Sequence, residues 1–184
     1  HSTALDEALG IELFHNFTLM HDDIMDAAPL RRGQPTVHAK WDVNTAILCG
    51  DAMLVKAYQL MGRHPKVLAL FSAHALGVCE GQQLDMEFEA RRDVRVEEYL
   101  EMIRLKTAVL LRCALQTGAL VAGASEEETA RLGTFGEELG LAFQLRDDLL
   151  DAFGDPAKVG KQQGGDLRAG KKTWILIRAL ELSD

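Results

Sequence analysis

The chain has 184 residues, 47% of them hydrophobic and 26% charged, with 20 basic against 28 acidic side chains. That length suits one domain with its own core, and the apolar content excludes low-complexity disorder. A formal net charge of −8 speaks against nucleic acid or an anionic membrane as the main partner, while leaving room for a local basic pocket. The three cysteines, Cys49, Cys79 and Cys113, are far apart and form no CxxC pair, the pattern of reduced thiols in a cytosolic protein. No stretch reads as a signal peptide, and no uncharged apolar run reaches the ~18 residues of a membrane span. The richest candidate, Ala108 to Ala124, is interrupted by Arg112 and Gln116.

Only four prolines occur, Pro29, Pro35, Pro65 and Pro156, and the long interval between the last two is rich in Ala, Leu and Glu. Long helices, and hence an all-α fold, are expected. The first helix is predicted from about Thr3 to Ala27, with Leu9, Leu13, Phe17, Met20 and Ile24 forming one buried stripe. Pro29 to His38 reads as a loop. A second helix is predicted over Trp41–Met61 with Asp51 in an apolar setting, then a turn at His64-Pro65. A third ends near Ala90. The next runs from about Glu97 through Leu105-Lys106-Thr107 to Gly123. Ser125 and Glu128 form a capping box that opens a helix reaching Phe153. Gly154 to Gly170 reads as a loop, and a last helix is expected from Lys171. No segment alternates with period two for long enough to predict a strand.

Two copies of one pattern carry the chemistry: Asp22, Asp23 and Asp26 in DDIMD, and Asp147, Asp148 and Asp151 in DDLLD. On a helix, residues four apart share a face, so each motif aligns two carboxylates. Such a pair, about 5 Å apart, repels by roughly 3 kcal/mol at an effective dielectric near 20. Hard cations with oxygen ligands would compensate it, and Mg²⁺ completing its shell with phosphate oxygens suits the pattern best. Zinc fits poorly, because no His or Cys stands at ligand spacing beside either motif. One such motif alone is commonly a solvated acidic face. Here each is followed by bases, Arg31-Arg32 after the first and Lys158, Lys161, Lys171 and Lys172 after the second, the alternation that diphosphate binding requires.

Read together, HDDIMDAAPLRRGQPTVH, GDAML, EGQQLD, RLKTA, FQLRDDLLD and the GK…GGD…GKKT stretch resemble the trans-isoprenyl diphosphate synthases, the polyprenyl synthetase family that includes farnesyl and geranylgeranyl diphosphate synthases. The resemblance covers nearly the whole chain. It implies an orthogonal bundle of helices around a central cavity, with the two motifs facing each other and three Mg²⁺ ions (Mn²⁺ as an alternative) bridging them to an allylic diphosphate. It places metal on Asp22 and Asp26 with Asp23 alongside, and on Asp147 supported by Asp148 and Asp151. Arg31, Lys106, Lys161 and Lys171 are expected at the allylic diphosphate, and His15 and Arg32 at isopentenyl diphosphate. Thr107 and Gln144 are expected beside the developing carbocation, which makes Lys106, Thr107, Gln144, Asp22 and Asp147 the catalytic group. Phe17 and Thr18 stand five and four residues before Asp22, roughly 6–7.5 Å deeper along a helix, at the depth where the family sets product length. Phe17 as floor implies products of fifteen to twenty carbons; Phe17 as plain core is the equal alternative.

Other residues are weighed against duller roles. Asp51 reads as structural, while Gln82 and Asp85 match a motif that lines the family's cavity, with a direct role left open. His21 and His38 read as supporting residues, and His64 and His74 as surface or packing residues. Lys171 and Lys172 are not separable by sequence, and Gly164-Gly165 suits a loop folding over phosphate or a plain connector. The family's Gly-Lys-x-x-Arg element and its basic C-terminus are not found in these 184 residues, and the connection at Met61–Val67 is short. The chain is therefore expected to be a single isoprenoid synthase domain, the catalytic middle of a longer protein, without its first and last helices. Homodimers are usual in the family, and Ala108–Ala124 could supply the shared face or equally an internal helix. A class I terpene cyclase and a silent regulatory subunit are the alternatives; the intact second motif argues against the first, and two intact motifs against the second.

Overall fold

Caps and breakers set the helix ends, and they position the acids. In this computed structural model, which describes residues 4–155 and 164–183, α1 (Leu5–Met25) opens with Asp6 and Glu7 in its first turn, the charge sign that favours a helix N-terminus. It stops two residues earlier than the periodicity predicts, so Asp26 is the residue that caps its end. α3 (Val43–Met61) is capped by Asp42, which accepts from the Thr45 amide at 2.8 Å. α4 (Pro65–Ala90) carries Pro65 in its first turn, where the missing N–H costs nothing. The predicted capping box opens α7 (Glu126–Phe153): Ser125 Oγ accepts from the Glu128 amide, and Glu128 accepts from the Ser125 amide.

Between α1 and α3 the predicted loop contains more order than the sequence suggested. Leu30–Arg31 (β1) and Gln34–Pro35 (β2) pair antiparallel around Arg32-Gly33. Both turn residues have positive φ, 52° and 75°, the hairpin geometry that glycine favours at its second position. Two-residue strands are too short to show alternation. A one-turn helix, α2 (Val37–Lys40), follows.

The helix predicted through Lys106 is likewise not continuous. α5 (Val96–Ile103) passes into a π-helical turn at Arg104–Ala108 before α6 (Val109–Val121) resumes. α6 ends at Gly123, whose φ of 77° allows the Ala124 and Gly123 amides to reach back to the Ala119 and Leu120 carbonyls at 3.0 and 3.1 Å, a Schellman stop. Beyond α7, α8 (Gly165–Arg168) lies within the predicted loop, and the last helix, α9 (Trp174–Ser183), starts three residues after Lys171.

α1 packs antiparallel on α3, because Gly10 meets Met61 at one end of the pair and Gly50 meets His21 at the other. α6 runs antiparallel to α7, Ala108 facing Gly140 and Gln116 facing Gly133. One core cluster joins Phe14, Met61, Val67, Phe71, Val109 and Cys113. In it Phe71 meets Phe14 edge-on at 5.2 Å and Tyr58 at 5.1 Å. A second cluster joins Phe88, Val94, Tyr99, Met102, Ile103 and Ile177. One side of α6 faces this core, with Val109, Cys113, Gln116, Thr117 and Ala119 buried, while Leu110, Leu111, Ala114 and Leu115 are half-buried. The exposed large apolar residues lie elsewhere, among them Ile47, Leu48 and Val55 on α3, Leu76 on α4, and Phe135 and Phe143 on α7. Among the described residues no helix is long and apolar enough to cross a membrane.

The π turn is clamped by two glycines. A Cβ on Gly81 of α4 would lie 2.2 Å from the Lys106 amide nitrogen, and one on Gly140 of α7 would lie 2.5 Å from Ala108 Cα. Both neighbours are backbone and cannot move aside alone. Gly140→Ala is therefore expected to destabilise the fold by about 1–3 kcal/mol through overpacking, although alanine is the better helix former. Urea unfolding of the variant at or above the parental midpoint would refute the close approach.

Candidate active site

The C-terminal ends of α1, α4 and α7 and the π turn converge on one polar mouth. Asp22 and Asp26 come from α1, Asp85 from α4, Lys106 and Thr107 from the π turn, and Lys171 from the segment leading to α9. Lys106 Nζ donates to Asp85 at 2.6 Å and to Asp22 at 3.2 Å. Lys171 Nζ donates to Asp26 at 2.9 Å and lies 3.9 Å from Asp85. The β1–β2 hairpin turns Arg31 back onto α1, where it donates to Asp23 at 2.8 Å and to Asp22 at 3.2 Å. All three acids of the first motif thus have a basic partner.

The second motif is held differently. Asp148 is buried and accepts from the Tyr99 hydroxyl at 2.5 Å and from Gln144 Nε2 at 2.9 Å. Gln144 Oε1 accepts in turn from Thr107 at 2.9 Å. Asp151, also buried, takes the Asp166 amide at 3.1 Å, which ties the start of α8 to the end of α7. Asp147 is half-buried beside them. Adjacent residues of the π turn therefore reach the two motifs separately, Lys106 the first and Thr107 the second.

Burial and neighbouring charge pull these groups apart. Burial pushes the Asp22 carboxyl up, but Lys106, Lys171 and Arg31 outweigh it, so Asp22 titrates below its ordinary 3.8. Burial prevails at Asp23, against Arg31 and His38, and at Asp148, which accepts from the neutral Tyr99 and Gln144; both are raised. Burial would depress Lys106, yet Asp22 and Asp85 hold its ammonium above the usual value, and Asp26 and Asp85 do the same for Lys171. Burial and the bond to Asp148 keep the Tyr99 phenol protonated far above its ordinary range.

The remaining sequence-predicted residues distribute unevenly. Lys161 and Lys158 lie outside the described residues. Arg32 is exposed at the hairpin tip and His15 half-buried on α1, and among the described residues neither pairs with the acid–base cluster. Lys172 turns away, donating to the Glu89 and Gly170 carbonyls at 3.1 and 2.7 Å. Phe17 packs on Phe14 at 5.6 Å and on His21 at 4.6 Å, and Thr18 bonds the His15 carbonyl of its own helix. Asp51 is not a buried acid: its side chain is 55% exposed, with His21 Nε2 3.8 Å away. His64 pairs with the buried Glu7 at 3.1 Å, and His74 bonds the Leu70 carbonyl. His38 keeps a buried Nδ1 without a partner. Gln82 approaches Met25 Sδ at 3.5 Å.

Asp85, whose role the sequence left open, is central to the cluster. Tyr99 was missed altogether; an aromatic among the apolar residues of an eight-residue helix signals core, and only its hydroxyl distinguishes it. An open cavity of ≈ 430 Å³ lies at the mouth, lined by Met25, Asp26, Glu89, Gly165, Asp166, Ala169 and Lys171. A larger cleft of ≈ 710 Å³, between the α3–α4 turn and the end of α6, contains none of the motif residues.

The donors at both motifs are oxygen, as a hard divalent ion requires. No three His, Cys, Asp or Glu among the described residues gather to hold an ion by themselves. The acids present fit such an ion only if it takes further ligands from water or from a bound anion.

The described residues thus define a helical protein in which an aspartate motif is paired with two lysines and an arginine at one mouth and a second aspartate motif ends α7. A sequence profile of the polyprenyl synthetase family matches residues 2–184, and the chain belongs to that family, the trans-isoprenyl diphosphate synthases. It is 44% identical to a geranylgeranyl diphosphate synthase of Methanosarcina mazei, covering 97% of this chain and 57% of that protein. It is 43% identical to a geranylfarnesyl diphosphate synthase of Natronomonas pharaonis, covering 95% of this chain and 53% of that one. A solved polyprenyl synthase of Caulobacter crescentus, in complex with calcium and isoprenyl diphosphate, superposes with a TM-score of 0.94 at 34% identity, covering 100% of this chain and 56% of that one. The chain thus spans somewhat more than half the length of these relatives.

Lys106 is the cation that the buried Asp85 and the half-buried Asp22 share. Lys106→Met is expected to cost about 2–4 kcal/mol at neutral pH, because among the described residues Asp85 would keep only Lys171 at 3.9 Å and Asp22 only Arg31 at 3.2 Å. Asp22 is depressed in the folded state, so the stability its pairing contributes is present above pH 3.8 and is lost as pH falls through the folded value. The gap between parent and variant should therefore narrow on acidification. Urea titrations at neutral pH and near pH 3 test this; a gap that widens in acid would reject the assignment.

Proposed function

We propose that this chain is the catalytic part of a metal-dependent prenyltransferase. It condenses isopentenyl diphosphate with dimethylallyl, geranyl or farnesyl diphosphate by ionisation, condensation and elimination, giving products of fifteen to twenty carbons. One observation carries the reading: every acid of the first motif is held by a cation that a diphosphate would itself recruit.

Divalent ions, for which we propose Mg²⁺ with three bound alongside diphosphate, would be held by Asp22, Asp23 and Asp26 on one wall and by Asp147, Asp148 and Asp151 on the other. When bound they would screen the diphosphate's charge. The chain's own residues do the rest. Lys106, Lys171 and Arg31 donate to phosphate oxygens, so negative charge developing on the leaving group is stabilised as the allylic C–O bond ionises. Arg32 and His15 are assigned to the diphosphate of the second substrate. The double bond of isopentenyl diphosphate then attacks the allylic cation, and the proton lost from the adduct passes to the departed diphosphate. Thr107 and Gln144 place oxygen atoms beside the cation. Below them Leu105, Val109 and Phe17, packed on the first core cluster, exclude the water that would quench it.

A homodimer is the proposed assembly. The exposed apolar residues of α3 and α4 are the surface a second copy would cover.

Incubation of the full-length protein with Mg²⁺, isopentenyl diphosphate and each allylic primer in turn should give a longer prenyl diphosphate with at least one primer. No consumption of isopentenyl diphosphate with any primer would defeat the reading. Phe17→Ala should lengthen the product by only one or two isoprene units, because Phe14 packs on Phe17 and is itself backed by Phe71. An unchanged product spectrum would return Phe17 to the core.

A further inference from the structure

Thr107 and Gln144 are useful beside a cation only if their oxygen lone pairs, not their protons, face it. A threonine hydroxyl has one proton and can rotate, and a glutamine amide presents opposite polarity at its two ends. Something must choose the direction of both.

We propose that Tyr99 is a positioning residue that fixes the polarity of the hydrogen-bond chain Tyr99–Asp148–Gln144–Thr107, and so the way Thr107 faces the reacting carbon. Tyr99 is 1% exposed, its ring locked in the second core cluster with Phe88, Met102, Ile103 and Ile177. Its hydroxyl donates to Asp148 Oδ2 at 2.5 Å. That bond holds the plane of the carboxylate and turns Oδ1 toward Gln144.

A carboxylate oxygen can only accept, so Gln144 must turn its NH₂ toward it, at 2.9 Å. The amide oxygen is then left for Thr107, whose hydroxyl donates its single proton there at 2.9 Å. The lone pairs of Thr107 Oγ1 remain for the cavity. Without the Tyr99 hydroxyl the carboxylate is free to swing, the Gln144 amide loses its fixed partner, and the flipped amide would donate to Thr107. The threonine proton would then be free to face the cation, which is unfavourable. Burial makes the chain stiff: Tyr99 and Asp148 are both shielded from water, where a fully satisfied polar network is strong and a partly satisfied one is costly.

The inference rests on the prenyl-transfer reading, and its test separates the two. Tyr99→Phe keeps the ring and deletes only the donor. In the full-length enzyme kcat should fall about tenfold, while KM for isopentenyl diphosphate and for the allylic substrate each change less than about threefold, the signature of an interaction felt in the transition state. Because both residues act through one chain, Tyr99→Phe combined with Gln144→Ala should be no slower than Gln144→Ala alone. Parental kcat in Tyr99→Phe, or losses that multiply in the double variant, would overturn the proposal. If the parent consumes no isopentenyl diphosphate, prenyl transfer fails as the function. The chain is then judged by proton exchange of the Gln144 side-chain amide, read by NMR. Exchange at least tenfold faster in Tyr99→Phe supports the positioning role, and unchanged exchange refutes it.

Discussion

The site depends on one ammonium group held between two carboxylates. Lys106 lies 2.6 Å from Asp85 and 3.2 Å from Asp22, and the bond joins α4, the π turn and α1 at one point. Drawing three charges partly out of water costs several kcal/mol each. Each contact returns about 5 kcal/mol of Coulomb attraction at an effective dielectric near 20. The balance closes only because the set is shared. Lys171 and Arg31 complete it, so four acids, Asp22, Asp23, Asp26 and Asp85, face three bases. The net of −1 is small, and every member is tied to another element.

That arrangement needs backbone to come unusually close to backbone. Lys106 reaches Asp85 because Gly81, four residues earlier on α4, has no side chain to keep the π turn away. Thr107 reaches Gln144 because Gly140, four residues earlier on α7, performs the same service on the other side. Each glycine stands one helical turn from the polar residue that its helix presents to the turn. The clamp and the hydrogen bonds are therefore one device: α4 and α7 grip the π turn and read its two adjacent side chains.

Much of this was legible in local chemistry. The capping box at Ser125, the breaks at Pro65 and Gly123 and the all-α character follow from residue preferences over a few positions, and the structure follows them. What escaped depends on contacts distant in sequence. Asp85 meets Lys106 across 21 residues and Tyr99 meets Asp148 across 49, and neither pairing leaves a periodic trace. RLKTA reads as ordinary helix because its π character is imposed by neighbours rather than by its own residues. The apolar run after Lys106 suggested either a shared face or a core helix; its Cys113 and Thr117 side is buried in the core, and its Leu111 and Leu115 side is half-buried. Asp51 deceived in the other direction, since the apolar residues around it include Leu48 and Val55, which are themselves exposed.

The two aspartate motifs are nearly identical in sequence and opposite in how they are compensated. The first is neutralised by Lys106, Lys171 and Arg31, whose charges a phosphate can take over. Hydrogen bonds from Tyr99, from Gln144 and from the Asp166 amide secure the second, and none of these donors carries charge to transfer. Under the proposed function a diphosphate would take Lys106, Lys171 and Arg31 as partners in place of the first motif's acids, and those acids would then be free to hold divalent ions. At Asp148 and Asp151 the donors among the described residues are Tyr99, Gln144 and the Asp166 amide, none of them charged, so these two acids keep their places. The first wall then supplies a charge-matched socket that changes partners with the ligand. The second supplies a fixed reference against which Gln144 and Thr107 stay oriented while charge moves beside them.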